Sequence, residues 1–197
     1  MALPGPDVEL ERVTLDANVV YPIGLIDYLL WAAASHAFQP VWSEDILEEA
    51  RRNLVVNGYP DAPRRIARMK AAFPGADPGT RQIKRQLGRV PAGVDAGDHH
   101  VVATALAAGS ALLVTNNSKH FPVKHLKRLG IRRLTAEQFL QYLWQEHRDA
   151  MVQALRDGAA SEKSPPQDTA DFLAAIARSC PTFARAAAAE LRLELPE

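Results

Sequence analysis

Arg12-Val13-Thr14-Leu15-Asp16-Ala17-Asn18-Val19-Val20-Tyr21-Pro22 is the stretch on which the fold turns. Arg12 to Leu15 reads as a short apolar strand, and Asp16 stands at its end. The end of a buried strand is poor ground for an idle charge. In an open parallel sheet, ligands bind beyond the carboxyl ends of the strands, which is where this aspartate falls. Its plainer role would be to cap the turn before the next helix.

Working outward, helices and strands alternate. Ile23 to Ala37 has helical periodicity, and Phe38 to Trp42 reads as a second buried strand. Ser43 is a natural N-cap for an amphipathic helix that Asn57-Gly58 stops. Pro63 opens a basic helix through about Ala72, and Thr80 to Leu87 forms a further short one. Val90 to Asp98 is loop. His99 to Ala108 is an Ala- and Val-rich helix ended by Gly109, before a third strand at Ala111 to Thr115. Val123 to Leu129 is a short helix, Ile131 to Leu134 a fourth strand, and Thr135 starts the next helix. Such alternation implies right-handed crossovers and a mainly parallel sheet.

After about Gly158 the chain changes character. Residues 159–168 (AASEKSPPQD) read as a polar linker, followed by Ala-rich helices at Thr169 to Ser179 and Thr182 to Leu191. These would pack on the main domain or on a partner. The expected division is an α/β domain over 12–145 and a helical extension over 146–197.

The 197 residues are 47% hydrophobic and 23% charged, enough for a sizeable core. The single cysteine, Cys180, excludes an internal disulfide and a Cys-rich zinc site. No apolar stretch reaches a membrane span, and the first twelve residues lack a signal-peptide pattern. The expected location is the cytoplasm, with no membrane partner. Net charge is zero, but its distribution is uneven. Arg64, Arg65, Arg68, Arg81, Lys84 and Arg85 fall in one basic region, and Lys119 begins a second. Basic flanks around an acidic centre suit phosphate binding beside a metal; solvated helix faces are the plainer reading.

The acids that could form that centre are Asp16, Glu49 and Asp98. Glu49 lies one to two turns into the helix after the second strand, with Glu44, Asp45 and Glu48 as rivals. Asp98 opens the helix before the third strand, with Asp95 close by as a decoy. Carboxylates gathered in one place repel unless a cation occupies the cluster. Mg²⁺ and Mn²⁺ prefer carboxylate and water oxygens. His99 and His100 find no histidine or cysteine at ligand spacing, so zinc is discounted.

Four motifs in order then resemble those of PIN-domain nucleases. They are Leu15-Asp16-Ala17-Asn18, Trp42-Ser43 through Glu49-Ala50, Asp98-His99-His100-Val101 and Val114-Thr115-Asn116-Asn117-Ser118-Lys119-His120-Phe121. The similarity covers roughly Val13 to Tyr142 and is nearest to VapC-type toxins of toxin–antitoxin pairs. The resemblance selects Glu49 over Glu48. It implies a three-layer α/β/α sandwich around a mainly parallel sheet, here with a C-terminal helical extension. It also implies endoribonuclease activity with Mg²⁺, Mn²⁺ being able to substitute, inhibition by a cognate antitoxin, and dimerisation. Asp16, Glu49 and Asp98 become the catalytic and metal-holding set. Asn18, Ser43, Thr115, Asn117 and His120 become auxiliary residues, and the basic residues above become RNA contacts. One departure stands out. The family often places an aspartate directly before the phenylalanine of the fourth motif, where this chain has His120. One firmly held ion is therefore expected rather than two. Two other readings compete: a non-catalytic RNA- or protein-binding module, and a phosphatase with an aspartate nucleophile. The phosphatase usually needs a second acid two residues on, where Asn18 stands.

Overall fold

Side chains alternate between the two faces of a strand, so a strand buried at every position must be covered on both sides. Strand β1 (Arg12–Leu15) is buried at Val13, Thr14 and Leu15, and β3 (Leu112–Val114) is buried throughout. These are the central strands of a four-stranded, wholly parallel sheet completed by β2 (Gln39–Val41) and β4 (Arg132–Leu134), in the order β2-β1-β3-β4. The computed structural model describes residues 10–161 and 167–196. The fold is the α/β sandwich expected, with a helical C-terminal region.

Between β1 and β2 run α1 (Ala17–Val20) and α2 (Ile23–Ala34). Helix α2 stops three residues short of the expected end. His36 adopts a left-handed conformation (φ 64°), and its N–H and that of Ala37 donate to the carbonyls of Ala33 and Ala32. That is a Schellman ending without its usual glycine, so the sequence carries no stop signal there. The chain continues through α3 (Glu44–Val56), α4 (Ala62–Ala72) and α5 (Thr80–Gln86), and two short 3₁₀ turns lead into α6 (His99–Ala108). Ser43 Oγ accepts from Ile46 N–H and caps α3. Gly109, left-handed at φ 67°, ends α6. Helix α6 lies across β1, β2 and β3. After β3 come α7 (Val123–Lys127), β4 and α8 (Ala136–Glu146), which opens with a Thr135/Gln138 capping box.

The C-terminal helices are α9 (Arg148–Ser161), α10 (Thr169–Ala177) and α11 (Pro181–Leu191). The first three residues of the expected linker, Ala159 to Ser161, continue α9; the next five lie outside the described residues. Helices α9 and α10 both pack on α2, and α11 packs on α8. Two glycines let α10 come close. A Cβ on Gly24 of α2 would stand 2.8 Å from the Ala175 carbonyl oxygen, and one on Gly158 of α9 would stand 2.4 Å from the Phe172 ring. Gly158→Ala tests the second contact with a sign opposite to helix propensity. Alanine gains about 1 kcal/mol in a helix interior, but overpacking against a buried ring costs about 1–3 kcal/mol. We expect a lower melting temperature; a rise would mean that α10 yields freely.

Candidate active site

The strand order reverses direction at β1. The chain passes from β1 to β2 on one side, then crosses to β3 on the other. A crevice at the carboxyl ends of β1 and β3 follows from such a reversal, and Asp16 and Thr115 are the residues there.

Asp16 is 3% exposed. Its backbone N–H donates to the Val114 carbonyl at 3.0 Å, which extends the β1–β3 pairing. Oδ1 accepts from the Ala17 N–H at 2.7 Å, so Asp16 does cap α1. Oδ2 accepts from the Thr115 hydroxyl at 2.6 Å and from the Asn18 side-chain amide. The Asn18 amide also donates to Thr115 Oγ1 at 3.1 Å, and its carbonyl oxygen accepts from Asn116 N–H at 2.9 Å. Asn117 N–H donates to Thr115 Oγ1 at 3.0 Å. Every polar atom of this network is occupied, so the carboxylate is held in one orientation. Its pKa is nevertheless raised. Burial is the chief cause, opposed by the Thr115 and Ala17 hydrogen bonds and reinforced by the negative charges of Asp98 and Glu49. Three carboxylates from β1, α3 and the turn before α6 thus share one field.

Among the acids of α3, Glu48 is held by Arg51 at 2.6 Å on the surface, and Glu44 is paired with Lys70. Glu49 is the one whose charge bears on Asp16, and its Oε2 lies 3.8 Å from His100 Nε2. Asp98 Oδ2 is 2.7 Å from His120 Nδ1, so the histidine that stands at the fourth-acid position touches the third acid. Asp95, Asp98 and His120 offer ligand atoms within 4.8 Å of one another.

Two of these residues escaped sequence reasoning. Asp95 was set aside as a decoy, although its backbone N–H donates to the His120 carbonyl at 3.1 Å and ties the two loops together. His100 finds no histidine or cysteine at ligand spacing in the sequence, and its neighbour in the fold is Glu49, 51 positions earlier. Only the packing of α3 against α6 reveals the pair. Ser43, taken as auxiliary, is buried and works as the α3 cap.

The basic residues are spread more widely. Arg64, Arg68, Arg81, Lys84, Arg85 and Lys119 are exposed. Arg65 is bound to Asp27 at 2.5 Å. Arg65 and Arg68 line a separate groove of about 670 Å³ whose walls include Leu30, Trp31 and Met69. Among the described residues, no helix is long and apolar enough to cross a membrane.

Comparison with family models gives two matches: the PIN domain over residues 12–119 and the VapC50 C-terminal domain over residues 136–189. Neither the curated proteins nor the solved structures gave a match. The PIN match spans all three carboxylates and His120's immediate neighbour Lys119, and the second match begins at α8 and takes in α9 to α11. These matches support a nuclease-type hydrolase of the toxin class. The chain belongs to the PIN-domain family, in its VapC-type branch, with a C-terminal extension beyond the PIN domain.

Proposed function

We propose that this chain is a metal-dependent endoribonuclease and the toxin of a toxin–antitoxin pair. The observation that carries the reading is Asp16 at the carboxyl end of β1, its pKa raised chiefly by burial and further by the negative charges of Asp98 and Glu49. Such a grouping is costly for a metal-free fold and favourable for one that binds a divalent cation. Asp16, Glu49 and Asp98 would hold that ion, Mg²⁺ with Mn²⁺ able to substitute. The chemistry it supplies is Lewis acidity toward water and toward a phosphoryl oxygen.

The chain's own groups do the rest. Thr115 and Asn18 fix the Asp16 carboxylate in orientation, and Asn116 and Asn117 fix Thr115 and Asn18 in turn. Lys119 and the arginines and lysine of α4 and α5 (Arg64, Arg68, Arg81, Lys84 and Arg85) would hold the RNA backbone. Arg65, engaged by Asp27, would contribute less. Single-stranded loops are the expected targets, because RNA bases are readable mainly where they are unpaired. The partner is a cognate antitoxin, the location the cytoplasm, and a homodimer the expected assembly. The nuclease machinery would lie in residues 12–145, with residues 146–197 as its helical extension.

The test is purified protein incubated with total RNA in Mg²⁺, in Mn²⁺ and in chelator. Cleavage with either ion and none in chelator is expected. Cleavage that persists in chelator would overturn the metal-dependent reading.

The same ion should stabilise the fold. At an ion concentration of about 100 times Kd the gain is about 2.7 kcal/mol, or about 5–10 °C in Tm for a chain of this size. The pH dependence follows from Asp16. Its folded pKa is above the ordinary 3.8, so its stabilising contribution is complete below that value and lost as pH rises through the raised one. In chelator, melting temperature should therefore bear a penalty at neutral pH that added ion removes. The gap between ion and chelator should widen from pH 4 to pH 7; a constant gap would exclude Asp16 from the binding set.

A further inference from the structure

Between Asp98 and Glu137 the chain has no aspartate and no glutamate, although it holds 23 acids in all. The cations of this stretch lack the ion pairs seen elsewhere. On α3 and α4, Arg51 binds Glu48, Arg65 binds Asp27 and Lys70 binds Glu44. Lys119, Lys124, Lys127 and Arg128 are all exposed, and none has an ion-pair partner among the described residues. Helical spacing puts three of them together. Lys124 is followed at i+3 by Lys127 and at i+4 by Arg128, which caps α7 in helical conformation, so the three share one face. Leu126 is fully buried and anchors the helix from the other side. Like charges so placed repel. The last carbonyls of α7 offset this for Lys127 and Arg128, but not for Lys124.

The face is rigidly mounted beside the carboxylates. The Ile131 N–H donates to the Leu126 carbonyl at 3.0 Å. The His125 ring lies against Gly93, where a Cβ would overlap it. Arg133 Nη1 donates to the Ser118 carbonyl at 2.6 Å and to the Phe121 carbonyl at 3.1 Å, which fixes the turn between Lys119 and α7. That turn carries His120, whose Nδ1 lies 2.7 Å from Asp98 Oδ2. The unpaired cations therefore adjoin the acidic site on backbone that is already ordered, so little ordering cost is left for binding.

We propose that the exposed face of α7, formed by Lys124, Lys127 and Arg128 and continued by Lys119, is a phosphate-binding surface for the backbone of single-stranded RNA beside the carboxylate site. The inference rests on the nuclease reading in naming RNA as the polyanion. Its physical basis is charge complementarity: cations with no acid among them release counterions from a polyanion, and the binding that results is steeply salt-dependent and indifferent to sequence.

The experiment uses the full chain in chelator, with a fluorescently labelled oligouridylate and fluorescence anisotropy over a range of NaCl. The carboxylates repel RNA equally in every variant there, so differences report the substituted surface. Lys124→Gln/Lys127→Gln/Arg128→Gln should reduce the slope of log K against log salt by about 2, at about 0.7 per phosphate contact, and weaken binding about 100-fold at about 0.1 M salt. Arg156→Gln/Arg178→Gln/Arg185→Gln removes the same charge from exposed positions of the C-terminal helical region and should keep the parent's slope. Exposed substitutions of this kind leave stability nearly unchanged, which melting temperatures check. A slope reduced by less than about 1 in the α7 variant, an equal reduction in the C-terminal control, or a parent that does not bind oligouridylate would overturn the proposal. A parent that ignores oligouridylate but sediments with phosphatidylserine vesicles would assign the face to a membrane surface instead. Binding that depends on α7, in a protein that cuts no RNA with Mg²⁺ or Mn²⁺, would support the surface and sink the nuclease reading. Metal-dependent cleavage by the parent, with the slope unchanged in the α7 variant, would do the reverse.

Discussion

Asp16→Asn is expected to lower RNA cleavage at least about 10³-fold while the protein stays folded. Asparagine keeps the size and shape of the side chain but removes its charge. A factor of 10³ corresponds to about 4 kcal/mol of barrier, within the several kcal/mol of charge stabilisation that a correctly held ion supplies. The fold should tolerate the change. The asparagine oxygen can still accept from the Ala17 N–H, but its amide then faces the Thr115–Asn18 side, where Asp16 Oδ2 accepted two bonds. Losing such a bond costs about 1 kcal/mol. The variant also removes a buried charge that Asp98 and Glu49 repel. At neutral pH in chelator these effects oppose each other, so the melting temperature should stay near that of the parent or exceed it. With Mg²⁺ added, the parent should move up and the variant should not. Cleavage within tenfold of the parent would remove Asp16 from the active set. Lost cleavage with a collapsed fold would leave Asp16 as a structural cap, and Thr115→Val, which unfastens the carboxylate without removing it, would then decide between the two.

How much of this was legible in the sequence depends on how local each signal is. The strands expected at Arg12 to Leu15 and at Ile131 to Leu134 appear within a residue of those bounds. Helices α3, α6 and α8 carry their own caps in Ser43, Gly109 and Thr135/Gln138. Helix α9 was harder to see. Its buried face is Met151, Ala154, Leu155, Gly158 and Ala159, a helical spacing filled mostly by small residues. Gly158 has no room for a side chain because the Phe172 ring of α10 lies against it, and that reason lies outside the helix itself. The site divides in the same way. Asp16 announced itself as a charge at a strand end, whereas His100 and Asp95 act through partners brought near only by the fold.

The same reasoning makes the C-terminal helices part of the fold's stability rather than a removable appendage, and Phe183→Ala tests this most severely. Phe183 is 1% exposed. Its ring centroid lies 5.9 Å from that of Tyr28 on α2 and 5.5 Å from that of Trp144 on α8. Tyr28 in turn meets Phe172 of α10 edge-on, and its hydroxyl donates to the Met151 carbonyl of α9 at 3.1 Å. One aromatic cluster therefore joins α2 and α8 to all three C-terminal helices. Polar ties run alongside it: Glu137 of α8 accepts from the Phe183 N–H, and Glu190 of α11 binds Arg148 at 2.5 Å. Arg148 also sits 4.0 Å over the Trp144 ring. Removing a buried phenylalanine costs about 3–5 kcal/mol, because the cavity forfeits contacts as well as transfer energy. For a chain of this length that is a fall of about 6–20 °C in Tm. The form of the transition matters more than its size. If the sheet domain and the helical region share one core, calorimetry of Phe183→Ala will show a single transition moved to lower temperature, with RNA cleavage intact below it. Two transitions, the upper at the parent's temperature, would mean that the sheet domain holds itself together and that the helices are only docked upon it.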